Sequence, residues 1–197
     1  PLVEIREMIY PRYSKEIEEE LNSEGIIRAH SFGKTRLGKL SVLGKGKTGV
    51  VVLTEDGNAL KIRRSDSPKE SLELEARMQI MAGNAAPKVL KYGKNFILME
   101  YVSGRHLEKR EPISVLIDLI NRAYFLEQAG LEHKELVTPW RNVLVSGERT
   151  YIIDYDSVSL KERAFNVNKI LNAFNLRDLA RAYKRGEMTL EEIVKRI

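Results

Sequence analysis

The stretch "GKGKTGVVVLTEDGNALKI", residues 44–62, decides the fold. Gly44, Gly46 and Gly49 stand at GxGxxG spacing, which lets a backbone approach phosphate closely, because glycine accepts positive φ angles and near contact without a Cβ clash. The element after the third glycine separates the users of this spacing. A dinucleotide fingerprint needs a helix directly after it, and a Walker A loop needs Gly-Lys-Ser/Thr opening a helix. Here "GKT" at 46–48 runs instead into "GVVVLT", a β-branched run that reads as a strand. Asp56-Gly57-Asn58 is a hairpin signal, and "NALKI" returns as the next strand with Lys61 between Leu60 and Ile62. The glycines therefore sit in a β-hairpin.

Working outward, "KLSVLGKG" at 39–46 reads as the strand that enters the loop. "SKEIEEELN" at 14–22 is a short acidic helix with Ser14 as N-cap, ending near Gly25. In "SPKESLELEARMQIM", Ser67 as N-cap, Pro68 at N1 and Glu70 at N3 form a capping box that predicts a helix from there to about Met81. "KVLKYG" and "NFILMEYV" are two further strands about a turn at Gly93-Lys94-Asn95. The second half predicts a helix at about 113–129 closed by Gly130, then strands "NVLV" and "TYIIDY" across Ser146-Gly147-Glu148. Its end is helical over roughly 160–185, and Thr189 with Glu192 caps a last short helix. The expected class is α+β.

Hydrophobic residues make up 43% of the 197, enough for one sizeable core or two small lobes. The absence of cysteine excludes disulfides, thiolate metal sites and thiol nucleophiles. No apolar run approaches the roughly 18 residues of a membrane span, and no signal-peptide pattern opens the chain, so a cytoplasmic location without a membrane partner is expected. A net charge of +5 favours anionic partners: nucleotide phosphates, nucleic acid or acidic proteins. His30, His106 and His133 are scattered, with no carboxylate spacing that suggests zinc.

The order Gly-rich hairpin, Lys61, Glu-bearing helix, "LMEYV" (98–102), "INRAYFLEQAG" (120–130), "LEHKEL" (131–136) with Asn142, and "IIDYD" (152–156) resembles the eukaryotic-like protein-kinase superfamily over about residues 40–160. It is most similar to the small, atypical, archaeal-type branch: RIO-like kinases and the kinase of the KEOPS tRNA-modification complex. The resemblance implies a two-lobed kinase-like fold. Residues 37–102 would form an N-lobe of antiparallel sheet plus one helix, and 103–197 a reduced helical C-lobe. Residues 1–36 would be a helical extension packed on the N-lobe.

It also implies ATP and Mg2+ as cofactors. Gly44, Lys45, Gly46, Lys47, Thr48 and Gly49 would bind the phosphates. Lys61 would reach them, held by a glutamate of the next helix, Glu75 or alternatively Glu73. The Glu100 carbonyl and Val102 N–H would take the adenine, with Met99 behind it. Asp154 and Asn142 would ligate magnesium, with Tyr155 and Asp156 standing where Phe and Gly are usual. His133 would support the backbone, and Glu135 occupies the place of the catalytic aspartate. Six residues separate Glu135 from Asn142, against the four of the motif H-R-D-x-x-x-x-N, and Pro139-Trp140 shapes the insertion.

The activity implied is transfer of the ATP γ-phosphate to a protein serine or threonine, with Ser65 or Ser67 as self-acceptors. Two alternatives stay open. Glu135 and the lengthened loop suit a pseudokinase that binds nucleotide or a partner without turnover. The basic set Lys34, Arg36, Lys39, Lys45, Lys47, Arg63, Arg64, Lys134 and Arg141 suits an RNA or ribonucleoprotein contact on a kinase-like scaffold. Arg177, Arg181, Lys184 and Arg185 read as a solvated helix face.

Overall fold

The β-branched run after Gly49 pairs with the run that carries Lys61, as the Asp56-Gly57-Asn58 signal requires. These are β6 (Gly49–Thr54) and β7 (Ala59–Arg63), antiparallel with Val51 opposite Lys61, and Gly57 takes φ 86° in the turn. The computed structural model describes all 197 residues and separates into two units, 1–77 with 88–101 and 78–87 with 102–197.

The first unit is built on a seven-stranded sheet. Besides β6 and β7 it contains β1 (Leu2–Glu4), β2 (Arg28–His30), β5 (Gly44–Lys45), β8 (Val89–Tyr92) and β9 (Phe96–Met99). The order is β1-β2-β6-β7-β9-β8, with β5 pairing β6, and the neighbours are antiparallel. The hairpin of β3 (Thr35–Leu37) and β4 (Leu40–Val42) lies outside that sheet, so the strand expected over 39–46 is split at Leu43.

Strand alternation explains where Lys61 points. Leu60 and Ile62 bury themselves in a cluster with Val50, Val52 and Phe96, together with Ile17 and Leu21 of α1 (Lys15–Ser23). Side chains alternate across a strand, so Lys61 takes the opposite face, paired with Ile97. That face is covered by Leu72 and by Ala76 of α2 (Glu73–Met81). A lysine between two core residues is thereby aimed at a helix.

The N-terminal extension and the start of α2 depart from expectation. Residues 1–36 are helical chiefly over α1, where Ser14 accepts from Ile17 N–H, and they add β1 and β2 to the sheet, with Ala29 opposite Thr54. The helix predicted from Ser67 begins six residues later. Ser67 closes only a local turn onto Lys69 N–H, and Ser71 accepts from Glu73 N–H at 3.1 Å. Residues 73–77 of α2 belong to the first unit and 78–81 to the second.

The second unit has its own core. Leu119, Ile120, Ala123 and Leu126 of α3 (Ile113–Gln128) pack with Leu131, Val143, Ile152, Ile170 and Leu171, all essentially inaccessible. Gly130 ends α3 at φ 77°. β12 (Val143–Ser146) and β13 (Arg149–Ile152) form the expected hairpin, with β10 (Arg105–His106) added to β12. β11 (Leu131–His133) pairs with β14 (Val158–Leu160). The helical end differs from the expected single helix over 160–185. It is α4 (Val167–Ala173) and α5 (Arg177–Lys184), divided at Asn175 with φ 62°. α6 (Leu190–Arg196) carries the Thr189–Glu192 capping box. No helix is long and apolar enough to cross a membrane.

Candidate functional site

In the first unit, Lys61 Nζ and Glu75 Oε2 lie 2.6 Å apart, with side chains only 8% and 3% exposed. β7 aims the lysine at α2, and the third residue of α2 meets it. Glu73 is one turn-face away and engages Ser71 Oγ at 3.1 Å, so the glutamate that faces Lys61 is Glu75. Met99 packs beside them on the Leu72–Ala76–Ile97 cluster.

Above Lys61 lies the glycine loop. A Cβ on Gly49 would stand 2.8 Å from both Ile62 O and Lys61 Cε, so this glycine is required by close packing. Gly44 and Gly46 behave differently. None of the three takes the positive φ expected of them; a Cβ on Gly44 would meet nothing within 4 Å, and one on Gly46 only Gly49 O at 3.9 Å. The loop tip is closed by Gly46 N–H donating to Gly49 O at 2.9 Å, while the N–H groups of Lys47 and Thr48 make no hydrogen bond within the chain. Glu100 follows β9 and donates its N–H to Lys88 O at 2.9 Å.

In the second unit the six residues between Glu135 and Asn142 are taken up by two 3₁₀ turns, Lys134–Val137 and Pro139–Arg141. Folded this way, the longer loop still brings the two side chains together: Asn142 Nδ2 donates to Glu135 Oε2 at 2.9 Å. Asn142 is buried and Glu135 exposed. That donation orients the amide, and no hydrogen bond of the chain reaches its Oδ1. Trp140 packs edge-to-face on Phe174 at 5.4 Å, anchoring the insertion to the end of α4.

Ile153 ties the loop to Asp154. Its N–H donates to Asn142 O at 2.9 Å, continuing the β12–β13 ladder, and its carbonyl accepts from His133 Nε2 at 2.9 Å. Asn142 and Asp154 therefore emerge at the same end of that hairpin. Asp154 is exposed and takes the left-handed φ of 64°. For a non-glycine such a conformation costs about 1–3 kcal/mol and is concentrated at functional sites. Burial holds the His133 imidazole below its ordinary range, which keeps it neutral. Burial likewise pushes the Tyr155 phenol well above its ordinary value.

Sequence reasoning missed Asn166. Its Oδ1 accepts from His133 N–H at 2.9 Å and its Nδ2 donates to Leu131 O at 2.7 Å, pinning the strand that leads into Glu135. It stands where an N-cap of α4 would, but its side chain is diverted, and Glu127 accepts from Asn166 N–H and Val167 N–H instead. An Asn before "VNKI" was the available signal.

Several members of the expected basic set serve the chain itself: Arg63 donates to Asn95 Oδ1 at 2.7 Å, Arg64 grips Asp66, Arg36 donates to Ser41 Oγ and Lys39 O at 3.3 Å, and Lys45 lies over the Tyr10 ring. Lys34, Arg36, Lys39, Lys134 and Arg141 are exposed. No three His, Cys, Asp or Glu side chains cluster as a metal site. A scan against protein-family models matches none, and a search of curated proteins finds no match.

Proposed function

We propose that this chain is an ATP-dependent phosphotransferase of protein-kinase type, similar to the small atypical RIO-like branch, acting on a protein serine or threonine. The observation that carries the proposal is the Lys61–Glu75 pair beneath Gly49. Burying two opposite charges costs desolvation on both, and apolar replacements of such pairs are often at least as stable. Stability is therefore a poor reason for this pair. Fixing an ammonium beside a glycine loop with unengaged N–H groups is a good one, because phosphoryl transfer depends on positioning and charge neutralisation.

In this proposal Lys61 and the 44–49 loop hold phosphate oxygens, and the backbone of Glu100 and Val102 holds the adenine. Asn142 through its free Oδ1 and Asp154 through its exposed carboxylate fit the oxygen-ligand preference of magnesium, which neutralises phosphate charge when bound. Glu135 accepts the proton of the acceptor hydroxyl as its oxygen bonds to the γ-phosphorus. The bond from that phosphorus to the bridging β-oxygen breaks, and ADP leaves.

Saturating MgATP at about 100 times its Kd is expected to raise the thermal midpoint by roughly 5–10 °C. Asp154→Asn should lose the magnesium-dependent part of that rise and Lys61→Ala most of the whole. No shift with any nucleotide in the wild type would sink the proposal. A second reading, nucleotide binding without turnover, is favoured by one observation: the Glu135 carboxylate is already engaged by Asn142. A nucleotide-dependent shift without transfer of labelled phosphate to any protein, itself included, would decide for it.

A further inference from the structure

We infer that Arg64 is a positioning residue for the glycine loop, and that the N-terminal segment belongs to the phosphate-binding apparatus through Tyr10. The inference rests on reading the 44–49 loop as a phosphate site. Arg64 lies one residue past β7 and holds the loop on both sides of its tip. Its N–H donates to Thr48 O at 2.9 Å and its Nη1 to Gly46 O at 3.1 Å. The remaining guanidinium edge is locked by Asp66, at 2.8 Å from Nε and 2.9 Å from Nη2. Its face lies over the Tyr10 ring at 4.9 Å, and Lys45 Nζ approaches the same ring at 5.1 Å.

Tyr10 is itself held in place. Its carbonyl accepts from Ser65 N–H at 2.8 Å, and Ser65 Oγ accepts from Arg12 N–H at 3.0 Å. The N-terminal segment thus braces the one stretch of loop in which Gly44 and Gly46 carry no packing of their own. Without the brace a glycine-rich tip would lose backbone entropy each time it closed on phosphate, and pre-anchoring removes that cost. A planar guanidinium can bond Gly46 O, fork onto Asp66 and stack at once; an ammonium cannot.

The discriminating probes are MgATP, which needs the loop, and adenosine, which has no phosphate to offer it. Calorimetric titration of both into the full chain would compare wild type, Arg64→Lys, Tyr10→Ala and Tyr10→Phe, each checked for folding by circular dichroism. Arg64→Lys and Tyr10→Ala should weaken MgATP by about tenfold, the size of one charge-assisted hydrogen bond, with adenosine unchanged. Tyr10→Phe should match the wild type, because the ring does the stacking. If Tyr10→Ala unfolds, Arg64→Lys with Tyr10→Phe still decides. Equal loss for both probes, or no loss for either in Arg64→Lys, overturns the brace while leaving the nucleotide site standing. A wild type that binds neither probe overturns the phosphate reading of the loop and the brace with it.

Discussion

Two pairs of chemically capable side chains stand in this molecule, and they are held by different means. Lys61 and Glu75 meet at 2.6 Å on a central strand and a helix, both nearly inaccessible. Glu135 and Asn142 meet at 2.9 Å across two 3₁₀ turns, with the carboxylate in solvent and only the amide buried. The first pair inherits its geometry from the core, so removing one partner alters stability along with chemistry. The second is aligned by one hydrogen bond at the surface, so its chemistry can be changed while the fold stays.

The largest effect should come from breaking the buried pair on one side. Glu75→Ala removes the carboxylate 2.6 Å from the nearly inaccessible Lys61 ammonium, a change expected to cost about 3–5 kcal/mol by urea unfolding. Lys61→Met combined with Glu75→Leu removes both charges and should recover most of that loss while abolishing nucleotide-dependent stabilisation. A cost below about 1 kcal/mol for Glu75→Ala would mean that water reaches the lysine freely, and the contrast between the two pairs would disappear.

Much of this arrangement was legible in the residues. Turn signals at 56–58, 93–95 and 146–148 located the hairpins, Gly130 ended α3, and the Thr189–Glu192 box formed as read. These features succeed because the cause is local: a backbone angle, a cap, a two-residue period. What was not legible depends on distant partners. β1 and β2 are three residues each and exist because β6 offers an edge to pair with. The box at Ser67 lost to Leu72, whose N–H donates to Lys94 O and whose side chain is buried with Ile97, so α2 starts where tertiary contact begins. Arg64 reads in sequence only as one of a basic set and Asn166 is not singled out, and only the structure shows that each joins segments more than fifteen positions apart. Glu75 over Glu73 was likewise beyond helical periodicity, because apolar residues flank both.

An intermediate effect concerns the support behind the second pair. His133 donates from Nε2 to Ile153 O, and its Nδ1 is buried without a partner. Protonation would add a charge in that buried place, and this desolvation is why its pKa is lowered in the folded state. The unfolded chain therefore takes up this proton first as pH falls. Stability from this residue is full above the unfolded value of about 6.5 and is lost progressively as pH drops from there toward the folded value. His133→Gln, which can keep the bond to Ile153 O but does not titrate, should show a flatter decline in urea midpoint between about pH 7 and 5. Identical slopes would mean that the imidazole is solvated, and that the loop carrying Glu135 has no rigid backing.

The smallest effect on stability should accompany a large one on chemistry. Glu135 is exposed, and Gln at that position keeps an oxygen that can accept from Asn142, so Glu135→Gln should change unfolding by less than about 0.5 kcal/mol. The thermal shift with MgATP should also be that of the wild type, because the amide of Asn142 keeps its orientation. Transfer of labelled phosphate should nonetheless fall on the order of 100- to 10,000-fold, the usual contribution of a positioned general base. Unchanged transfer would make Glu135 a prop for Asn142 and nothing more. A fall in stability together with transfer would show that the surface hydrogen bond is as structural as the buried ion pair, and the two pairs would then differ in location but not in kind.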